Sequence, residues 1–268
     1  MRFGLLGKVL SYSLSPTIHQ AVYDAMSISA TYDLIEVPVD EMSEQKFKEI
    51  MSGYDGINVT IPYKSFIMPY LDEIDAEAAA IGAVNTVVKR DGKLVGYNTD
   101  YYGAMHSLET LPLDQKKGAI VLGTGGASKA VIQCLKKLSL DEVYIVSRTP
   151  NSDLNFDNFK YVDYRFFDTM DTKGYLLVNC TPVGMATYES KLPMNEEIIQ
   201  NQACVFDLIY SPLKTPLILC SEKYAIPNIN GLNMLIIQAI YAEKLWFPKE
   251  DLDENLLIPM IASRLSLK

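Results

Sequence analysis

Lys64 closes a short polar stretch, Asn58-Val59-Thr60-Ile61-Pro62-Tyr63-Lys64. Asn58 and Thr60 would share one face of a strand end, with Lys64 one turn beyond. Polar residues at the end of a buried strand are where α/β folds bind ligands. Lys64 could also be an ordinary solvated lysine. Gly82-Ala83-Val84-Asn85-Thr86 and Gly96-Tyr97-Asn98-Thr99-Asp100 add amide, hydroxyl and carboxylate groups of the same character. Ser11-Tyr12-Ser13-Leu14-Ser15-Pro16 puts two hydroxyls two residues apart, just before a helix start. That pattern suits a small anion such as a carboxylate. Each feature alone has an ordinary reading as well: serines cap helices, and lysines cover surfaces.

A second constellation lies in the middle of the chain. Ala119-Ile120-Val121-Leu122 reads as a strand buried on both faces. Gly123-Thr124-Gly125-Gly126-Ala127-Ser128 follows, and then a helical pattern. Strand, glycines and helix in this order form a dinucleotide turn. Gly123 permits the tight turn, Gly125 lets the backbone approach a pyrophosphate, and the helix N-terminus offers N–H groups to the anion. Ser128 stands where a third small residue is usually Gly or Ala. The bland alternative is a plain βα turn that uses glycine for geometry. The next strand ends in Val146-Ser147-Arg148-Thr149. A fold that prefers NAD places an acid there for the ribose hydroxyl, whereas a guanidinium suits a 2′-phosphate. Arg148, flanked by Ser147 and Thr149, therefore points to NADP, against the alternative of a surface arginine at a strand end.

Elements to carry these groups can be read from the alternation of apolar runs. Strands are expected at 2–7, 32–37, 56–59, 119–122, 142–146, 176–179 and 203–207, and a hairpin 83–88/93–97 turning at Asp91-Gly92. Helices are expected from Ser15, as N-cap with Pro16 at the first helical position, and over 43–51, 77–81, 99–108, 128–138, 231–245 and 252–265. This is an α/β chain of mostly parallel sheets. The expectation is two domains with a cleft between them: residues 1–100 plus 235–268 for the substrate, and a Rossmann-like domain at 101–234 for the dinucleotide. Cleft closure would bring the reactants together and exclude water.

Composition narrows the partners. The 268 residues carry 24 basic and 33 acidic side chains, a net charge of −9. Such a chain repels nucleic acid and anionic lipid, so neither is expected as a partner. Neither a signal peptide nor a membrane span is legible. Cys134, Cys180, Cys204 and Cys220 are scattered without a CxxC pair and read as reduced thiols of a cytoplasmic protein. His19 and His106 lack ligand spacing, so no metal is expected; both read as helix-face residues. The oligomeric expectation is a monomer or homodimer.

Together these segments resemble the shikimate dehydrogenase family over nearly the whole chain. The landmarks run in order through Ser13-Leu14-Ser15-Pro16, Asn58-Val59-Thr60 with Lys64, Gly82-Ala83-Val84-Asn85-Thr86, Asn98-Thr99-Asp100 and the Gly123 turn. They continue through Asn179-Cys180-Thr181-Pro182-Val183-Gly184-Met185, Asp207-Leu208-Ile209-Tyr210-Ser211-Pro212 and Gly231-Leu232-Asn233-Met234-Leu235 with Gln238. The resemblance implies NADPH-dependent reduction of 3-dehydroshikimate to shikimate, on the route to aromatic amino acids. It implies that Ser13 and Ser15 hold the substrate carboxylate near Tyr210, and that Thr60, Lys64, Asn85, Asp100 and Gln238 surround the ring hydroxyls, with Asn58 and Thr99 beside them. Gly123, Thr124, Gly125, Gly126, Ala127, Ser147, Arg148, Thr149, Thr181, Met185 and Leu208 would lie along the cofactor, and Gly231 close to the nicotinamide. Lys64 and Asp100 would carry the proton transfer.

Three departures qualify the resemblance. Ser147 replaces a usual Asn, the segment after Arg148 lacks a second basic residue, and Asn233 replaces a frequent glycine. Retention of both serines favours shikimate over quinate. A quinate/shikimate dehydrogenase with relaxed cofactor use, or a non-catalytic dinucleotide-binding sensor, are the alternative readings.

Overall fold

A computed structural model of the chain describes residues 1–11, 13–113, 117–140, 142–148, 159–167, 170–186 and 188–266. The chain divides into two compact units, Met1–Gly103 with Ile236–Lys268, and Ala104–Leu235. No helix among the described residues is long and apolar enough to cross a membrane.

The first unit is built on strands β1 (Arg2–Gly7), β2 (Thr31–Glu36), β3 (Gly56–Val59), β4 (Glu73–Ile74), β5 (Thr86–Arg90) and β6 (Lys93–Tyr97). Helices α1 (Ser15–Met26), α2 (Glu44–Ser52), α3 (Ala76–Ile81) and α4 (Asp100–Glu109) connect or follow them. The chain returns to this unit with α9 (Leu232–Trp246) and α10 (Glu254–Ser266). The strand order is β2-β1-β3-β5-β6-β4. β2, β1 and β3 are parallel, but β5 runs antiparallel to both β3 and β6. The antiparallel pairs follow from the hairpin turn, where Asp91 and Gly92 take φ of 51° and 79°. Two consecutive left-handed residues match the strand twist, which is why Asp-Gly marks such turns.

Alternation along the strands separates two cores. Leu6, Ile57, Val59 and Val87 pack with Phe47, Met51, Tyr63 and Ile67. Phe3 and Val88 instead meet Tyr23, Trp246 and Phe247. Phe3 stacks on Trp246 at a ring distance of 4.5 Å. Gly56 makes room for that ring: a Cβ there would come within 2.3 Å of the Trp246 Nε1, whose N–H donates to the Val87 carbonyl.

The second unit carries β7 (Ala119–Leu122), β8 (Val143–Ser147), β9 (Phe159–Asp163), β10 (Leu176–Asn179), β11 (Cys204–Asp207) and β12 (Asn228–Asn230). Its helices are α5 (Gly126–Lys137), α6 (Tyr164–Phe167), α7 (Glu196–Ile199) and α8 (Pro216–Lys223). The order is β12-β11-β10-β7-β8-β9, with every pairing parallel. This is the doubly wound Rossmann arrangement, which reverses direction between β7 and β10. β7, β10 and β11 are buried along their whole length, as strands covered on both faces must be. The β7–α5 turn thus lies at the switch point, where such sheets take their ligands.

Candidate active site

In the first unit the ends of β1, β3, β5 and β6 bring hydroxyl, amide and charged groups together. The α1 start differs from the expected cap. Leu14 is the N-cap, with no side-chain cap bond, and Ser15 is already the first helical residue. The reason is local: the Ser13 hydroxyl accepts the Ser15 N–H at 3.2 Å, so Ser13 satisfies a donor of the first turn. Ser15 itself is buried. The segment is tied back by the Ser13 N–H, which donates to the Leu10 carbonyl, and by the Leu10 N–H, which donates to the Glu36 carboxylate.

After β3 the chain turns through Thr60-Ile61-Pro62-Tyr63. The Tyr63 N–H donates to the Thr60 carbonyl, and the buried Tyr63 hydroxyl donates to the Val37 carbonyl at 2.6 Å. This anchor fixes where Lys64 begins. The Lys64 Nζ donates to Asp100 Oδ2 at 2.5 Å, and both side chains are nearly enclosed, at 13% and 10% exposure. Asp100 is the first residue of α4, where the helix dipole favours a carboxylate. Its other oxygen accepts the Asn85 amide at 2.8 Å. The Asn85 side-chain oxygen accepts the Thr99 N–H at 2.7 Å and the Thr86 hydroxyl at 3.0 Å. Asn58, buried between strands, donates to Thr86 Oγ1 at 3.0 Å and accepts the Tyr32 hydroxyl at 2.7 Å. Lys64, Asp100, Asn85, Thr99, Thr86 and Asn58 are therefore one connected hydrogen-bond network. An ammonium held against a carboxylate in this way can exchange a proton with a hydroxyl or carbonyl oxygen brought beside it. Gln238 is buried on α9 of the same unit.

Sequence reasoning missed Tyr32, which looks like an ordinary strand aromatic. It also read His19 as a helix-face residue. Instead His19 is fully buried, with Nδ1 2.5 Å from Glu243 Oε1. Burial of that carboxyl raises its pKa, against the pull of His19.

In the second unit Gly123 has φ +98°, and a Cβ there would stand 3.1 Å from Thr181 Cγ2. A Cβ at Gly125 would meet nothing within 4 Å. The approach to the α5 N-terminus is therefore open at Gly125, while its N–H groups remain available to an anion. Ser128 is fully buried, and its hydroxyl donates to the Gly125 carbonyl at 2.6 Å. The unusual third residue thus braces the turn. Thr124 is exposed, and Gly126 and Ala127 open the helix. Arg148 is exposed just past the end of β8, where Ser147 is half-buried. Thr149 lies outside the described residues.

The ends of β10 and β11 form the opposite wall of the same turn. The Asn179 side-chain oxygen accepts both the Thr181 N–H, at 3.1 Å, and the Thr181 hydroxyl, at 2.6 Å. Its amide donates to Asp207 Oδ1 at 3.0 Å. Asp207 also accepts the Thr215 hydroxyl and the Ile209 N–H. Burial raises the Asp207 carboxyl to about 6, opposed by those donors. Burial likewise pushes the Cys180 thiol up, which leaves it unsuited as a nucleophile. Met185 is half-buried in the loop after β10, and Tyr210 and Leu208 follow β11. Gly231 is pressed against Leu208: a Cβ would stand 1.9 Å from that carbonyl oxygen. Open ground over Gly125 and anion-ready N–H groups at the start of α5 together fit a dinucleotide.

Comparisons with known proteins give concordant results. Residues 5–87 match the family model described as shikimate dehydrogenase substrate binding domain. The chain is 38% identical over 248 residues to the shikimate dehydrogenase (NADP(+)) of Clostridium beijerinckii, covering 91% of each chain. Among solved structures, shikimate dehydrogenase 1 of Peptoclostridium difficile superposes with a TM-score of 0.89 at 35% identity, over 98% of this chain and 97% of that one. The Thermus thermophilus shikimate 5-dehydrogenase, solved in complex with NADP(H) and shikimate, gives 0.82 at 30% identity, over 98% and 99%.

Proposed function

The chain belongs to the shikimate dehydrogenase family, and from that premise we propose that it catalyses the reversible NADP-dependent interconversion of 3-dehydroshikimate and shikimate, with Lys64 and Asp100 as its catalytic residues. The observation that carries the residue assignment is the enclosed Lys64–Asp100 pair and its single network with Asn85, Thr99, Thr86 and Asn58. Met1–Gly103 with Ile236–Lys268 is the substrate unit, and Ala104–Leu235 the NADP unit.

In the substrate unit Ser13 and Ser15 bind the carboxylate at the start of α1. Thr60, Asn85, Asp100 and Gln238 orient the ring hydroxyls. Lys64 Nζ faces the oxygen whose carbon is oxidised or reduced. In the direction of ketone reduction it gives that oxygen a proton; in the reverse direction it takes the hydroxyl proton. Asp100 fixes the ammonium and a substrate hydroxyl at once, so that little reorganisation is left for the reaction itself.

In the NADP unit the N–H groups after Gly125 hold the pyrophosphate, and Arg148 with Ser147 and Thr149 takes the 2′-phosphate. Thr181, Met185, Leu208 and Gly231 line the remaining length. The cofactor bound there would supply the hydride chemistry, as NADPH for ketone reduction and as NADP+ for the reverse. The free thiols of Cys180, Cys204 and Cys220 support a reducing, cytoplasmic setting.

The test is spectrophotometric: NADP reduction with shikimate, then with NAD and with quinate substituted in turn. Turnover of shikimate with NADP, and much weaker turnover with the other pairs, is expected. No turnover of shikimate with either cofactor would overturn the assignment.

A further inference from the structure

Tyr32 has no part in the assignments above, yet its hydroxyl is joined to the network around Asn58. It lies on β2, two strands from β3, on the same face as Phe3 and Gly56 according to the register. The long tyrosine reaches across β1 to Asn58 on β3. There the phenol donates to Asn58 Oδ1 at 2.7 Å. The Ser15 hydroxyl lies beside the same phenol. The tyrosine therefore meets both parts of the site: its ring stacks on His19 of α1, the helix that opens at Ser15, and its hydroxyl bonds the amide that leads through Thr86 and Asn85 to Asp100 and Lys64.

The ring is held for this task. His19 stacks on it at a centroid distance of 3.9 Å, with planes 9° apart. His19 is in turn fixed by Glu243 on α9, and both partners are fully buried. A buried, hydrogen-bonded polar pair holds its geometry because any rearrangement strands a polar group away from water. The His19–Glu243 pair thus clamps the tyrosine between α1 and α9. Burial, and then the nearby Glu243 charge, keep the phenol protonated well above neutral pH, so it remains a donor to Asn58.

We propose that Tyr32 is a positioning residue for substrate: its hydroxyl sets the spacing between Ser15, which takes the carboxylate, and the Asn58–Asn85–Asp100 network, which takes the ring hydroxyls. The inference rests on the assignment of shikimate to this unit. It adds that recognition depends on a side chain behind the contact layer, and that this side chain matters for the acid substrate and not for the dinucleotide.

Tyr32→Phe retains the ring stacked on His19 and removes only the bridge. Steady-state oxidation of shikimate by NADP is measured for the whole chain, its Ser15→Ala variant, Tyr32→Phe and the double variant, with Tm for each. Tyr32→Phe should raise KM for shikimate roughly tenfold, as expected for one lost hydrogen bond to a positioned polar group. KM for NADP should stay within about twofold. In the Ser15→Ala background the tyrosine substitution should cost clearly less, because the two groups act as a unit. An unchanged KM for shikimate, equal rises in both KM values, fully multiplicative effects or failure of the phenylalanine chain to fold would each overturn the proposal. If the unaltered chain fails to oxidise shikimate, the functional assignment itself fails and takes this inference with it. Activity in the unaltered chain with an unaffected Tyr32→Phe variant overturns the inference alone.

Discussion

The Lys64 ammonium and the Asp100 carboxylate meet at 2.5 Å, and the carboxylate's second oxygen is already taken by Asn85. Asp100 is therefore oriented from two sides, and Lys64 has a defined partner before any substrate arrives. If Lys64 moves the proton, its loss should appear in turnover. Lys64→Ala is expected to lower kcat by roughly 10²–10⁴-fold, the usual contribution of a positioned acid or base, with a smaller change in KM for shikimate. The measurement is the kcat and KM pair at saturating NADP. A rise in KM with kcat intact would remove Lys64 from proton transfer and leave it as a binding group.

Two glycines of the dinucleotide unit separate folding from binding. Nothing stands within 4 Å of a Cβ at Gly125, and its φ of −73° suits any residue. Gly125→Ala should therefore fold with an unchanged Tm, and its methyl group should obstruct only the approaching phosphate, raising KM for NADP. At Gly231 a Cβ would stand 1.9 Å from a backbone oxygen. Gly231→Ala must shift that backbone, at a cost of roughly 1–3 kcal/mol. Thermal melts with and without NADP distinguish the two variants. Equal Tm losses in both would contradict this division.

Which parts were legible in the sequence follows from how local their causes are. The Asp91-Gly92 hairpin and the β7–α5 glycine turn are encoded in a few adjacent residues, and both stand where the sequence puts them. β4, β9 and β12 were missed: each lies at the edge of its sheet, and β4 and β12 are only two and three residues long. Edge strands have neither two buried faces nor long alternation to announce them. The helix start at Ser15 was misread by one residue because Ser13, rather than Ser15, satisfies the first free donor. Lys64 and Asp100 were legible as types, but their contact joins residues 36 apart. Tyr32 and the His19–Glu243 pair were illegible for the same reason carried further, since only the packing of α9 on α1 and β2 gives them a role.

Asp207 supplies a pH-dependent prediction. Its folded-state pKa is raised from 3.8 to about 6 by burial. A carboxyl raised in the folded state favours folding most when protonated in both states, below its unfolded value near 4. That contribution is lost as pH rises through about 6. Unfolding free energy measured in urea should therefore decline for the wild-type chain relative to Asp207→Asn between pH 4 and pH 7. The shift corresponds to about 3 kcal/mol at most, at 1.36 kcal/mol per pKa unit. Because Asp207 holds Asn179, which holds Thr181, KM for NADP should change in the same variant. A stability difference that does not vary with pH would show that Asp207 stays ionised throughout.

Arg148 tests the cofactor preference. It is exposed at the end of β8, where a guanidinium would meet a 2′-phosphate with charge-assisted hydrogen bonds. The segment after it supplies no second cation, so a single side chain provides the charge discrimination on this strand. Arg148→Ala should lower kcat/KM with NADP by roughly tenfold or more, the scale of one lost charge-assisted contact at about 1.5–3 kcal/mol. The same parameter with NAD should barely change, because NAD carries a hydroxyl where NADP carries the phosphate. The penalty should shrink as salt rises, since an exposed ion pair is screened. Measuring both cofactors at low and high ionic strength separates a lost contact from a distorted turn. A distorted turn would lower both efficiencies together and would be insensitive to salt; that result would move the 2′-phosphate away from Arg148.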